Sequence, residues 1–341
     1  MIMKDKIVWP SLANEQIIKY LEKSILENNP EGSYVFSGPD NIGKSTVAKS
    51  FAQILLCKNK GFLPCGVCES CRRFTIKDNE EYFSHGDFTF VTRAKDKKNI
   101  SIEQIRDFIR VLNMSSFAGG YKIGVVKHAE LLSTEAANAL LKTLEEPKEK
   151  TIIILISSEA ELLPTTILSR CKILYFKPVM TEKIYDYLVK ERNVSREKAR
   201  NLSRLSLGRP ALAIKFLEDE EFYDFYNNNV EDFLHICGSG INERLMLVEE
   251  LTGKEKGQAG TRIAHRVIEI WQGVCRDWLL LLLGQNNYVQ HIYLADEIKH
   301  QGIEYTEAEI VRLSKLLSRA HLYLKANVSP RLVLENIVLN F

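Results

Sequence analysis

The sequence predicts an α/β nucleotide-binding domain on a parallel sheet, interrupted by a cysteine-rich insertion and followed by an all-helical remainder. Three observations carry this. The loop Gly38-Pro39-Asp40-Asn41-Ile42-Gly43-Lys44-Ser45 lies between a short apolar run and a helical pattern. Four of the seven cysteines, Cys57, Cys65, Cys68 and Cys71, fall close together just after that helix. The run Ile152–Ile156 is almost entirely β-branched, which suits a strand covered on both faces.

Taken in order, Ile17, Ile18, Leu21 and Ile25 give an amphipathic helix that stops at Asn29-Pro30. Tyr34-Val35-Phe36 reads as a strand, the glycine loop follows, and Ser45 to Leu56 reads as a helix. After the cysteines, Asp87 to Val91 is a second strand. Ile102, Ile105, Ile109 and Leu112 share one helix face. Gly119-Gly120 is a turn, Tyr121 to Val126 a strand, and Ser133 the N-cap of a helix reaching Leu144. The alternation continues to about residue 177, the pattern of a doubly wound domain. Pro178 marks a change. Segments 181–191, 195–207 and 210–218 read as short helices, and from about 223 the chain is helical again, with apolar faces at Trp271 to Leu283 and Leu313 to Leu324.

The bulk numbers agree with a globular chain of more than one domain: 341 residues, 45% apolar and 26% charged. A net charge of +2 gives no bulk reason to wrap nucleic acid, although a local basic patch stays open. The longest apolar run, Trp278 to Leu283, is far short of the roughly 20 residues that span a bilayer. Residues 1–9 lack the apolar core of a secretion signal, so the expected location is the cytoplasm, without a membrane partner. An odd cysteine count argues against a closed disulfide framework and for metal binding.

The glycine loop matches G-x-x-x-x-G-K-[ST]. Backbone N–H groups of such a loop cradle phosphates, Lys44 reaches the outer phosphates, and Ser45 suits Mg²⁺. ATP or ADP with Mg²⁺ is the expected ligand, with Gly38, Asn41, Gly43, Lys44, Ser45 and Thr46 as the contact set. A chance match, or an inherited loop that holds nucleotide weakly, is the alternative. Hydrolysis needs more: a carboxylate at the end of a later strand to hold the metal, and a group to activate water. After Ile123-Gly124-Val125-Val126 the chain reads Lys127-His128-Ala129-Glu130. A lysine repels Mg²⁺, and a histidine does not replace a metal carboxylate. Glu130 reads either as a rescuing acid or as a surface acid. The expectation is that the chain's own ATPase activity is absent.

The four cysteines at x7, x2 and x2 spacing suit tetrahedral Zn²⁺ in a small knob of about residues 57–71, with Pro64 and Gly66 supplying turns. All four positions are filled by thiolates, so the zinc reads as structural. Ser169-Arg170-Cys171 is, by itself, a surface arginine beside a small buried thiol.

Together these segments resemble one family. Asn138 to Pro147 (NALLKTLEEP), Leu163 to Cys171 (LPTTILSRC), the four-cysteine insertion, and Asn327 to Glu335 (NVSPRLVLE) are similar to the AAA+ subunits of bacterial DNA polymerase III clamp loaders. The resemblance implies an AAA+ P-loop α/β module with a zinc-binding insertion (1–177), a helical lid (178–222) and a helical collar (223–341). Lys127 and His128 place the chain nearer the delta-prime type than the gamma or tau motor. It further implies that Arg170 acts in trans, as an arginine finger on a neighbouring subunit's ATP. Ser157 or Ser158 lies at the first sensor and Arg209 near the second. The implied partners are gamma or tau and delta subunits, the sliding clamp beta and primed DNA, in a hetero-pentamer. Two other readings stay open: a hydrolysing motor subunit, and a zinc-bearing nucleic-acid-binding module with a vestigial P-loop.

Overall fold

The computed structural model describes residues 9, 12, 14–59, 64–74, 85–94, 97–117, 119–253, 257–302 and 305–341. The chain divides into two compact units, Met1–Tyr187 with Gly208–Ala211, and Leu188–Leu207 with Leu212–Phe341.

The first unit runs α1 (Glu15–Leu26), β1 (Ser33–Ser37), α2 (Lys44–Leu56), α3 (Glu69–Phe74), β2 (Phe88–Val91), α4 (Ile102–Asn113), β3 (Lys122–Lys127), α5 (Thr134–Glu145), β4 (Thr151–Ser157), α6 (Thr165–Leu168) and β5 (Lys172–Tyr175). The five strands form one sheet in the order β2-β3-β4-β1-β5, and every pairing is parallel. Ser37 lies beside Ser157, and Lys127 beside Ile156. The carboxyl ends of β1, β3 and β4 therefore line one edge, where open parallel sheets bind ligands.

β4 explains why the sheet has two cores. All seven of its residues are buried. Ile152, Ile154 and Ile156 pack with Leu21, Phe36 and Phe51, while Ile153 and Leu155 pack with Ile105, Phe108 and Leu140. Side chains alternate across a strand, so an unbroken apolar run feeds both faces. Each fully buried Leu or Ile contributes roughly 1.5–3 kcal/mol of transfer free energy.

Local chemistry sets the helix starts. Ser101 and Gln104 close a capping box on α4, and Ser133 Oγ accepts from Ala136 N–H at the start of α5. The loop between α4 and β3 is held by two buried charges. Asp87 accepts from Ser116 Oγ (3.0 Å) and Phe117 N–H (2.8 Å), and Lys122 donates to Met114 O (3.2 Å) and Ser115 O (3.3 Å).

Next come α7 (Thr181–Lys190), α8 (Arg196–Leu205), α9 (Pro210–Glu218), α10 (Glu220–Cys237), α11 (Ile241–Gly253), α12 (Gln258–Leu282), α13 (Ala295–Gly302), α14 (Glu307–Lys325) and α15 (Pro330–Val338). As expected from Thr181 onward, there is no strand among the described residues of this stretch. The second unit packs around Phe233, Trp271 and Trp278, which are at most 1% exposed.

β5 is the strand that the sequence pattern did not single out. It sits at the sheet edge, and only Leu174 of its four residues is buried.

Candidate functional site: the carboxyl edge of the sheet and the cysteine knuckle

The phosphate-type loop joins β1 to α2. Gly38 has φ +148°, and a Cβ there would come within 2.5 Å of Phe176 O, so only glycine fits without a shift. Asn41 and Gly43 also take positive φ, of 60° and 100°, and Gly43 is the N-cap of α2. Gly38 N–H donates to Ser157 O (3.3 Å), which ties the loop to β4. Ser45 and Thr46 stand in the first turn of α2, half-buried and exposed respectively.

Lys44 is buried, at 5% exposure. Its ammonium donates to Gly38 O and, at 2.8 Å, to Pro39 O, and lies 3.9 Å from Asp40 Oδ1. Burial lowers its pKa, and the nearby Asp40 and Glu130 carboxylates oppose that shift. An ammonium held in a loop of convergent backbone groups suits phosphate oxygens.

Lys127 and His128 occupy the end of β3, as the sequence places them. His128 takes a left-handed conformation (φ 56°) and turns the chain into a short 3₁₀ turn, Ala129–Leu131. That turn decides the open question about Glu130. Its side chain is only 11% exposed, so it is not a surface acid. Glu130 Oε1 accepts from Ser158 Oγ (3.4 Å) and lies 3.3 Å from His128 Nδ1. Burial pushes its pKa up, but hydrogen bonds from His128 and a backbone N–H outweigh it and hold the carboxyl below its ordinary value. Ser158, the sequence-predicted sensor position, is thus beside Glu130, whereas Ser157 Oγ turns back to Glu159 O (2.7 Å).

Arg170 lies between α6 and β5. Its Nε donates to Glu145 Oε2 (2.8 Å), and its Nη1 to Thr166 O (3.1 Å) and Ser169 Oγ (3.3 Å). Glu145, the last residue of α5, was not foreseen as its partner; its place in Leu144-Glu145-Glu146-Pro147 was the available signal. Arg209 is half-buried between Gly208 (φ 75°) and α9.

The four predicted cysteine ligands come together. Cys57 ends α2, Cys71 lies in α3, and the four sulfurs are all within 4.8 Å of one another. Tetrahedral zinc–thiolate bonds of about 2.3 Å set sulfurs about 3.8 Å apart, so the cluster fits such an ion. Backbone N–H groups already point at the sulfurs: Cys65 to Cys57 (3.4 Å), Cys68 to Cys65 (3.3 Å) and Cys71 to Cys68 (3.4 Å). Burial raises the Cys57 and Cys71 thiols. At Cys68 the same effect is overcome by backbone donors from Cys71 and Lys58, leaving its pKa at about 6. Ser70 joins the knuckle to its support, donating to Leu56 O (2.6 Å) with His85 Nε2 2.8 Å away.

The family profile described as DNA polymerase III, delta subunit, matches residues 13–180. The delta-prime subunit of DNA polymerase III from Bacillus subtilis is 26% identical over 342 residues, 98% of each chain. The chain belongs to the delta-prime family of DNA polymerase III clamp loader subunits. Two further relatives mark the limits of the likeness. The delta-prime subunit of Escherichia coli is 30% identical over 182 residues, 53% of each chain. The tau subunit of Bacillus subtilis is 33% identical over 174 residues, which is 51% of this chain but 29% of tau. The delta-prime likeness thus reaches the helical unit, and the tau likeness covers about half of this chain. Among solved structures, a DNA polymerase III gamma-subunit-related protein of Thermotoga maritima aligns over 94% of this chain and 97% of its own, at 18% identity and a TM-score of 0.49.

Proposed function

We propose that this chain is the non-hydrolysing stator of a DNA polymerase III clamp loader. The observation that carries the reading is Lys127 with His128 at the carboxyl end of β3, beside a complete phosphate loop. A lysine and a histidine there supply neither a metal-holding carboxylate nor a carboxylate to polarise the attacking water at that strand end, so the site lacks the charge arrangement that hydrolysis requires.

On this reading the chain works through others. Residues 1–177 are an AAA+ module, 178–222 a lid, and 223–341 a collar that assembles with gamma or tau and delta subunits into a hetero-pentamer. Arg170 serves a neighbouring subunit. Its guanidinium is always charged, and the Glu145 carboxylate and Thr166 carbonyl fix its direction before assembly. Placed against a transferring phosphoryl group, such an arginine stabilises the charge that develops there. Arg209 and Ser158 are the sensor positions for nucleotide. Cys57, Cys65, Cys68 and Cys71 would hold zinc as a structural ion. The complex acts in the cytoplasm, placing the sliding clamp beta on primed DNA through contacts to the DNA backbone.

The test is ATP hydrolysis by the reconstituted complex of this chain with its motor and delta subunits, clamp and primed DNA. The chain alone should be silent. Arg170→Ala should assemble normally and slow the one site it serves by on the order of 10³-fold or more. Hydrolysis by the chain alone, or an unchanged rate in the assembled Arg170→Ala complex, refutes the reading.

A further inference from the structure

Glu130 carries an observation that the stator reading does not use. Its Oε2 is buried and has no hydrogen-bond partner, while Oε1 is engaged by Ser158 and His128. An unpartnered buried acceptor costs roughly 1–3 kcal/mol, more when charged, so such an atom calls for a reason. The surroundings supply one. Ser158, which donates to Glu130, follows the end of β4, where Ser157 pairs with Ser37 and accepts from Gly38 N–H, and Lys44 donates to Gly38 O and Pro39 O of that same loop. Three separate chain segments thus bring an ammonium, a hydroxyl and a half-used carboxylate to one place.

We propose that Glu130 is the acidic residue of this nucleotide site, holding Mg²⁺ through water from a position two residues beyond Lys127 and His128. Mg²⁺ gives up its waters reluctantly and is commonly held by one or two carboxylates together with phosphate oxygens. A carboxylate set back from the usual place can therefore serve through a retained water. Its spare oxygen supplies the acceptor, and Ser158 and His128 fix its direction. The same setting withholds catalysis. Glu130 is anchored by Ser158 and His128, and the residue that ends β3 is a lysine, so no carboxylate at that strand end is left to polarise an attacking water. The site would grip a Mg²⁺–nucleotide without consuming it. This goes beyond the stator reading, which assigns no residue of this chain to a metal ion in the nucleotide site.

The experiment is a fluorescence titration of the full chain with mant-labelled ADP, in Mg²⁺ and in EDTA. In wild type, Mg²⁺ should tighten binding by about ten- to hundredfold, the value of one charge-assisted contact. Glu130→Gln, which keeps the shape, should bind equally in both conditions, at the wild-type EDTA affinity. Glu130→Asp should keep part of the Mg²⁺ gain, and Lys44→Ala should weaken binding in both conditions. Thermal melts of each variant report whether it has folded. If Glu130→Gln retains the full Mg²⁺ gain, the assignment is wrong. If wild type binds no nucleotide in either condition, it is also wrong, while the Arg170 test of the stator reading stands unaffected.

Discussion

Two buried carboxylates, one in each unit, are used in opposite ways. Asp277 of α12 is 0% exposed, and both its oxygens are occupied. Oδ1 accepts from Gln290 N–H (3.2 Å) and Arg276 Nη1 (3.3 Å). Oδ2 accepts from Gln290 N–H (3.0 Å) and His291 N–H (2.9 Å), and lies 2.8 Å from His291 Nδ1. Across the ring, His291 Nε2 lies 2.9 Å from Tyr226 Oη. The network fastens the link between two short 3₁₀ turns after α12, Asn286–Tyr288 and Ile292–Leu294, to α12 and α10. Glu130, by contrast, keeps one buried oxygen unmatched. A carboxylate whose acceptors are all filled by its own chain is a fastener. One left half-filled keeps binding capacity at a cost in stability. The cysteine knuckle stands between these cases: three of its sulfurs accept backbone N–H groups, and a metal would complete the set.

The largest effect should come from the knuckle. Structural zinc sites release apparent binding free energies of about 10–16 kcal/mol in small zinc domains, and that depends on the complete ligand set. Cys68→Ser removes a sulfur whose pKa backbone donors hold at about 6 against the effect of burial. Elemental analysis of the purified chain should show metal falling from about one ion to near none. Normal metal content in the variant would mean that the cluster is not a four-thiolate site.

Next comes Asp277→Ala. It leaves two buried backbone N–H groups and the His291 ring without their acceptor. Breaking a buried pair of this kind costs about 3–5 kcal/mol, which urea melts followed by tryptophan fluorescence should register. Glu130→Gln should cost less in the same melts than Asp277→Ala, because it keeps the side-chain shape and Oε2 has no hydrogen bond to lose. Equal costs at the two sites would erase the contrast and count against a binding role for Glu130.

The sequence revealed these regions unevenly. The glycine loop and the cysteines were legible because their geometry is local: a few residues at fixed spacing determine the turn. The β4 core was legible because Ile152–Ile156 has no polar position. β5 was not, since Lys172-Ile173-Leu174-Tyr175 at a sheet edge buries a single side chain. Glu130 could be framed only as an alternative. Its burial depends on the left-handed step at His128 and on Ser158, which arrives from the end of another strand. Asp277 and His291 went unseen because an aperiodic stretch brings them together. The Glu145–Arg170 pair spans 25 residues and two elements, so neither motif alone implied it.

The last effect concerns a half-buried polar pair, which should behave as an acid-sensitive fastener. His265 of α12 and His321 of α14 stack with ring centroids 5.1 Å apart and an 11° interplanar angle, and their Nδ1 atoms are 2.9 Å apart. One ring must donate and the other accept, so the contact fails once both rings are protonated. Burial first, then the His265 and Lys325 charges, lower the His321 pKa to about 4, and burial with Lys325 lowers that of His265. An unfolded histidine titrates near about 6.5. Between those values the unfolded chain binds the proton and the folded chain does not, so folding stability must fall as the solution is acidified. The contribution is complete above about 6.5, declines through that window, and has gone below the folded value near about 4. Urea melts across this range should show the slope in wild type and a shallower one in His321→Gln. An equal slope in both would move the acid sensitivity elsewhere and leave the stacked pair a packing contact.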